Sequence, residues 1–231
     1  MINASLSFPG LNFASEADCN AFSPAFTQTA QNLWDAGISN FTTAGNNGLC
    51  ASINFPSCLS TVNSISAIYD DNLGLQGSEV SEESCVAEPN SGSSTGYAAF
   101  TNATANQVAV FSNVSSGVTL FASSNNATTT EVNGNYTGFG GTSAAAPYAA
   151  GAAAVLQSAA VEKMGRFLTP QEVRDYLVDN GDDITDVRDP LNPITKPKVN
   201  LDAAVAAIPD LLGGADSVSY THLTLPTKRI V

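Results

Sequence analysis

Ser143 stands in the segment GFGGTSAAAPYAAGAAAVL, residues 138–156. A serine hydroxyl is a weak nucleophile at neutral pH. It needs a base to take its proton and donors to hold the oxyanion that forms. The segment supplies the geometry for such a nucleophile. Gly140 and Gly141 allow a tight turn with no Cβ in the way. Ser143 then falls in the first turn of a helix, where unpaired backbone N–H groups and the positive end of the helix dipole face a reacting carbonyl. Ala144, Ala145 and Ala146 let that helix bury itself close to its neighbours, and Pro147 is tolerated this near a helix start. For an isolated serine, helix capping by Thr142 or Ser143 is the simpler explanation. A second candidate is Asn46 in TAGNNG, residues 43–48. A carboxamide NH₂ can donate to a developing oxyanion, and losing such a donor costs on the order of 10²–10³ in rate. Taken alone, the Asn-Asn-Gly run reads as a turn. The one histidine is His222, close to the C-terminus.

The elements that must position these residues alternate between two periodicities. Residues 1–8 read as a short strand entering a loop. The run CNAFSPAFTQTAQNLWDAGI is helical in pattern, with Phe26, Ala30, Leu33 and Trp34 on one face and Gly37 as its stop. ISNFTTAGNNG follows as a strand ending in a turn. A helix between two strands with short connections is a βαβ unit and implies a parallel sheet. TVNSISAIYDD, QVAVFSN and GVTLFAS read as further strands, separated by polar loops over 72–96 and 122–138. A long helix is expected from about Thr142 to Met164. In TPQEVRDYLVDNG, Thr169 is the expected N-cap, Pro170 sits at the first helical position and Glu172 completes a capping box. VNLDAAVAAI is a final short helix, with Asn200 or Asp202 near its start.

Of the 231 residues, 43% are hydrophobic and only 13% charged, and the formal net charge is −13. That balance argues against binding nucleic acid through its phosphates. No run of about 18 apolar residues indicates a membrane span, and Met1 leads into INASLSFPG with no apolar leader. Cys19, Cys50, Cys58 and Cys85 contain no CxxC pair, which speaks against a zinc site. Their even number in a Lys-poor, Asn/Ser/Thr-rich chain points to disulfides and an extracellular protein, with three pairings open. Sequons occur at Asn102, Asn113 and Asn126, a frequency that chance supplies in such a composition. Asp70, Asp71, Asp182 and Asp183 form two acidic pairs, which are ordinarily solvated, and no metal site is assigned to them.

The segment from 213 to 231 behaves differently from 1–212. It follows a Gly-Gly break, and Ser217–Thr227 back-translates into the mosaic-end adapter used in transposon-based sequencing libraries. Residues from about 217 onward are therefore expected to be translated adapter. Without Lys228 and Arg229, six bases stand against 21 acids, a net charge of −15, and His222 drops out with them.

GTSAAAPYAAG resembles the nucleophile motif of the subtilisin-like serine proteases, commonly Gly-Thr-Ser-x-Ala-x-Pro-x-x-x-Gly, with Ser143 on the nucleophile. TAGNNG is similar to that family's strand end carrying the oxyanion-hole asparagine, which falls on Asn46. INASLSFPG resembles the strand lining the substrate cleft. The resemblance implies that Ser5, Leu6 and Ser7 contact the substrate backbone as an added strand, with Ala44, Gly45 and Thr142 completing the substrate-binding residues. Ser7 replaces the usual glycine, which narrows the cleft, and Ala4 and Tyr148 replace common Met and His. The resemblance extends over about residues 1–208. It implies an α/β fold, a three-layer parallel sheet with helices on both faces, lacking its first strands. It also implies a serine endopeptidase acting on polypeptide substrates, with no cofactor, structural calcium being common in the family.

In this family the chain order is Asp, His, Ser, and both Asp and His precede the strand matched by INASLS. The sequence is therefore expected to be the C-terminal portion of a catalytic domain, inactive alone, with an exposed sheet edge that favours aggregation. Two alternatives stand beside this. Sedolisin-type acid proteases share Gly-Thr-Ser and dispense with histidine, but are expected to place aspartate at position 46. A non-catalytic binding module on a protease-like fold would also lack the base.

Overall fold

A computed structural model describes residues 1–124 and 127–212. The tail from 213, His222 and the Asn126 sequon lie outside the described residues. In chain order the elements are β1 (Ile2–Ala4), β2 (Phe8–Phe13), α1 (Glu16–Phe22), α2 (Pro24–Asp35), β3 (Asn40–Thr43), β4 (Ile53–Phe55), β5 (Asn63–Ile68), β6 (Gly74–Glu79), β7 (Glu88–Pro89), β8 (Tyr97–Ala103), β9 (Leu120–Ser123), β10 (Ala127–Thr130), β11 (Tyr136–Phe139), α3 (Thr142–Met164), α4 (Pro170–Asp179), β12 (Asp182–Asp186), β13 (Ile194–Lys198) and α5 (Leu201–Ala207).

The central sheet has the order β1-β3-β5-β9-β13-β12. β1, β3, β5, β9 and β13 run parallel, as the first βαβ unit requires. β12 is added antiparallel to β13, an edge strand that the sequence patterns do not indicate. α3 crosses one face. Its alanines at 145, 146, 149 and 153, with Leu156, pack on Phe41, Ile65, Ala67, Leu120 and Ala122. Small side chains let the helix axis approach the sheet closely, and each large aliphatic or aromatic partner buried there contributes about 1.5–3 kcal/mol. α4 and α5 extend this layer through Val173, Leu177 and Ala204. The other face carries α1, α2 and β4, gathered around Cys19, Ala30, Ile53, Phe55 and Val118. The layers are helix, sheet, helix, the α/β architecture that the sequence implies.

β5, NSISAI, is buried at every position. Ile65 and Ala67 meet the α3 layer. Ser64 and Ser66 are buried too, and their hydroxyls are used: Ser57 Oγ donates to Ser64 Oγ at 2.8 Å and Ser66 Oγ to the Asn113 carbonyl at 2.6 Å. Alternation in this strand therefore distinguishes two layers, not inside from outside.

Several local expectations are corrected. The first helical run is two helices, because Pro24 opens α2 and Ser23 before it is non-helical. Phe26 is half exposed, its ring edge-on to Phe55 at 5.1 Å. Residues 72–96 contain β6 and β7, which pair with β8 in an antiparallel sheet. QVAVFSN is no strand: Val108 makes one isolated bridge to Ile68, and Val108–Phe111 are apolar because they are buried in turns. Residues 122–138 hold the hairpin β10–β11. The caps at Thr169 and Asn200 are as expected, including the Thr169–Glu172 capping box.

By length and mean hydropathy (1.3) α3 would suffice to cross a bilayer. Here it is the core helix, with nine residues buried against the sheet and α5. The four cysteines form Cys19–Cys58 and Cys50–Cys85. Asn113 is fully buried and its amide is bonded within the fold, so that sequon is closed to modification.

Candidate active site

α3 begins without a cap of its own. Its N-cap is Gly141, at φ 80°, ψ 170°, with no side-chain cap bond. Neither Thr142 nor Ser143 caps it. The role falls to Asn46, 96 residues earlier in the chain: Thr142 N–H and Thr142 Oγ1–H both donate to Asn46 Oδ1, at 2.8 and 2.7 Å. Because a backbone N–H can only donate, it fixes Oδ1 toward the helix and turns Nδ2 the other way. Asn46 Nδ2 then remains a donor with no acceptor among the described residues, and the Ser143 N–H lies one peptide beyond the Thr142 N–H that Asn46 Oδ1 accepts. A Cβ on Gly141 would stand 3.1 Å from Asn46 Nδ2, in a left-handed backbone region.

Thr142 is fully buried, and its hydroxyl accepts from Thr43 Oγ1 and from the Gly45 N–H at 3.3 Å. Thr43 ends β3, so the strand end is tied to the helix start through one threonine pair. Ser124, just beyond β9, donates its hydroxyl to the Gly141 carbonyl. Thus β3 and β9, two strands of the sheet, both fix the turn before Ser143.

Ser5 joins the site through Pro147. Proline has no N–H, so the Ser143 carbonyl loses its helical donor at i+4. Ser5 Oγ supplies that bond at 2.9 Å. It anchors Ser5, Leu6 and Ser7, which follow β1, beside the nucleophile turn. Leu6 is 66% exposed and borders a small apolar cavity of about 140 Å³ with Phe26, Leu33 and Pro56. The largest cavity described, about 690 Å³, lies at the far end of α3 between Val161 and Phe167 and holds none of these groups.

Residues 44–49 are held from beneath by Asn113. Its Oδ1 accepts from the Asn47 and Leu49 N–H groups at 2.9 and 3.1 Å, and its Nδ2 donates to the Ala44 carbonyl and Asn54 Oδ1 at 3.2 and 3.0 Å. Ala44 is buried and its N–H donates to the Ile65 carbonyl. Gly45 is irreplaceable here: at φ 108°, a Cβ would fall 1.6 Å from Asn54 Oδ1. The sequence motifs give Asn46, Thr142 and Ser143. They miss Thr43, Asn54, Asn113 and Ser124, whose only advance signal is that Asn113 sits in a sequon.

The electrostatics are one-sided. No Lys, Arg or His precedes Lys163, and no histidine occurs among the described residues. No group of three or more His, Cys, Asp or Glu side chains forms among them. Asp182 pairs with Lys198 at 3.3 Å and accepts from Asn200 Nδ2 at 3.0 Å.

The model of the Subtilase family matches residues 2–200. The chain belongs to the subtilase family. No curated protein matches the chain. Among solved structures it is similar to the prenylagaramide maturation protease PagA (TM-score 0.57, 18% identity, 80% of this chain and 56% of that one). It is also similar to the patellamide maturation protease PatA (0.56, 20%, 79% and 55%) and to a protease from Pseudoalteromonas arctica (0.57, 18%, 90% and 50%). The chain spans about half the length of these subtilase-like structures, and at such identities they bear on the fold alone.

Proposed function

We propose that this subtilase chain carries the nucleophile half of a serine endopeptidase site. Ser143 attacks the scissile carbonyl of a polypeptide. Asn46 Nδ2 and the Ser143 N–H receive the oxyanion. Ser5, Leu6 and Ser7 present backbone to an extended substrate, while Ala44, Gly45 and Thr142 serve it from beneath by fixing Asn46. The observation that carries this is the Asn46 carboxamide bonded through Oδ1 to the first turn of α3, which leaves its donor end free beside Ser143. Described residues offer Ser143 Oγ no base. The proton acceptor and its orienting carboxylate are proposed to come from other residues, and the described ones alone are proposed not to turn over peptides. Two disulfides favour an oxidising, extracellular setting.

The test uses an activated ester, p-nitrophenyl acetate, at increasing alkalinity, so that hydroxide replaces the missing base. Acetylation is followed by peptide mass spectrometry. Ser143 should be the serine that acetylates fastest, with a rate that rises with pH. Asn46→Ala should slow it by about 10²-fold, and Ser143→Ala should abolish the adduct. Equal rates in the native chain and Asn46→Ala would refute the oxyanion assignment. Rapid fluorophosphonate labelling at neutral pH would refute the missing base.

A further inference from the structure

Asn46 begins a segment, 46–50, that is gripped from two sides. Control of this segment matters for catalysis only if Asn46 is the oxyanion donor assigned under the proposed function. Beneath the segment lies Asn113. Over it lies the turn 81–85. Ser81 N–H and Ser81 Oγ–H both donate to the Asn47 carbonyl, at 3.0 and 3.2 Å, and Ser84 Oγ donates to the Gly48 carbonyl at 2.8 Å. The turn is finally locked by Cys50–Cys85.

The two disulfides differ in access. Cys19 and Cys58 are 0% and 3% exposed, inside the cluster of α1, α2 and β4. Cys50 is buried at 8%, but Cys85 is open to solvent. An external thiolate can reach Cys85 Sγ without opening the core, and accessibility decides which disulfide exchanges.

We propose that Cys85 is a thiol-exchange site that controls the oxyanion segment, reacting with a dithiol reductant. The first thiolate attacks Cys85 Sγ. The Cys50–Cys85 bond breaks, a mixed disulfide forms on Cys85, and Cys50 leaves as a thiolate that takes a proton from water. The second thiol of the reductant, as thiolate, attacks the reductant's own sulfur in that mixed disulfide, with Cys85 Sγ as the leaving group. It closes the reductant's own disulfide and frees the Cys85 thiolate, which is protonated in turn. Two electrons pass from the dithiol to the cystine. Glu82 and Glu83 are exposed beside Cys85, so an uncharged dithiol reacts in preference to an anionic thiol. Once the bond is gone, the 81–85 turn is held to 47–48 by hydrogen bonds alone, and the chain between Cys50 and Cys85 regains freedom. Asn46 then loses the rigid seat that aims Nδ2.

The chain is titrated with dithiothreitol under native conditions, quenched with iodoacetamide and mapped by mass spectrometry, with amide hydrogen exchange on the same samples. Cys50 and Cys85 should alkylate about tenfold or more faster than Cys19 and Cys58. Amides of Asn47, Gly48 and Leu49 should exchange about tenfold faster after that reduction, and Cys50→Ser/Cys85→Ser should reproduce this without reductant. Reduction of both disulfides at one rate, or unchanged exchange at 47–49, overturns the proposal. Ser143 acetylation separates it from the functional assignment. Slower acetylation after reduction supports the control, and equal rates before and after refute it while leaving the nucleophile assignment intact. If the oxidised chain fails to acetylate at Ser143, the functional assignment and the control of Asn46 fall together.

Discussion

Truncating Asn113 to alanine should unseat the segment that carries Asn46. The side chain makes two bonds through Oδ1, to the Asn47 and Leu49 N–H groups, and three through Nδ2, to the Ala44 carbonyl, Asn54 Oδ1 and, more weakly, Asn47 Oδ1. Asn113 is fully buried and Leu49 nearly so. Losing Oδ1 strands two N–H donors at about 1–3 kcal/mol each. The Ala44 carbonyl suffers less, because it still accepts from the Asn54 N–H at 2.9 Å. The expected loss is about 2–5 kcal/mol, a large share of the 5–15 kcal/mol typical of a domain. Urea unfolding followed by the fluorescence of Trp34, the single tryptophan, reads this directly. Asn113→Asp sharpens the test. It keeps the acceptor for both N–H groups but sets a buried carboxylate oxygen against the Ala44 carbonyl and Asn54 Oδ1. Burial without a cation raises that carboxyl's pKa in the folded state above its unfolded value. The variant's deficit should therefore be largest at neutral pH and shrink as pH falls through the raised pKa, where the protonated acid donates as Nδ2 did. A loss below about 1 kcal/mol in Asn113→Ala, or a deficit in Asn113→Asp that ignores pH, would refute the claim that this amide holds the segment.

Two further perturbations probe the frame around the site. Arg188 and Asp186 form a buried pair at 2.8 Å, and Arg188 Nη1 also donates to the Ala109 and Val110 carbonyls. Arg188→Met leaves the carboxylate buried and unpaired, and should cost about 3–5 kcal/mol in the same urea assay. The hydrogen bond from Arg166, followed by backbone and side-chain bonds at Thr169, pulls the Glu172 carboxyl down to about 2. Its folded pKa is depressed, so its stabilisation is present above the ordinary carboxylate value and is lost as pH falls toward 2. Both partners are substantially exposed, which limits the effect to under about 1 kcal/mol. Glu172→Gln should lower the melting temperature slightly at neutral pH, with the gap closing in acid. A gap that is constant with pH would assign the effect to helix capping alone.

Much of the chemistry was legible in local sequence because it depends on backbone constraints that few residues satisfy. A glycine pair before Thr142-Ser143 announces a tight turn into a helix, and Thr169-Pro170 with Glu172 announces another helix start. These signals act over three or four residues, within reach of a short pattern. The antiparallel sheet of β6, β7 and β8 was not legible, because its polar residues earn strand geometry only by pairing across some twenty positions. Val108–Phe111 misled for the opposite reason: apolarity there records burial in turns, which periodicity does not separate from a strand.

A serine at the start of a small-residue helix and an asparagine in the turn after a strand both follow from local backbone chemistry. Their meeting depends on how distant parts of the chain pack. Parallel pairing of β3 with β5 and of β5 with β9, under α3, brings the ends of β3 and β9 to one helix start. There the uncapped N–H of Thr142 has to find an acceptor. Asn46 provides it, Ser5 satisfies the carbonyl that Pro147 leaves open, and Asn113 holds the segment in place. Those choices belong to residues far apart in the chain, because an unpaired polar group at a buried helix end is satisfied by whatever the fold brings within 3 Å of it, and no local pattern encodes that.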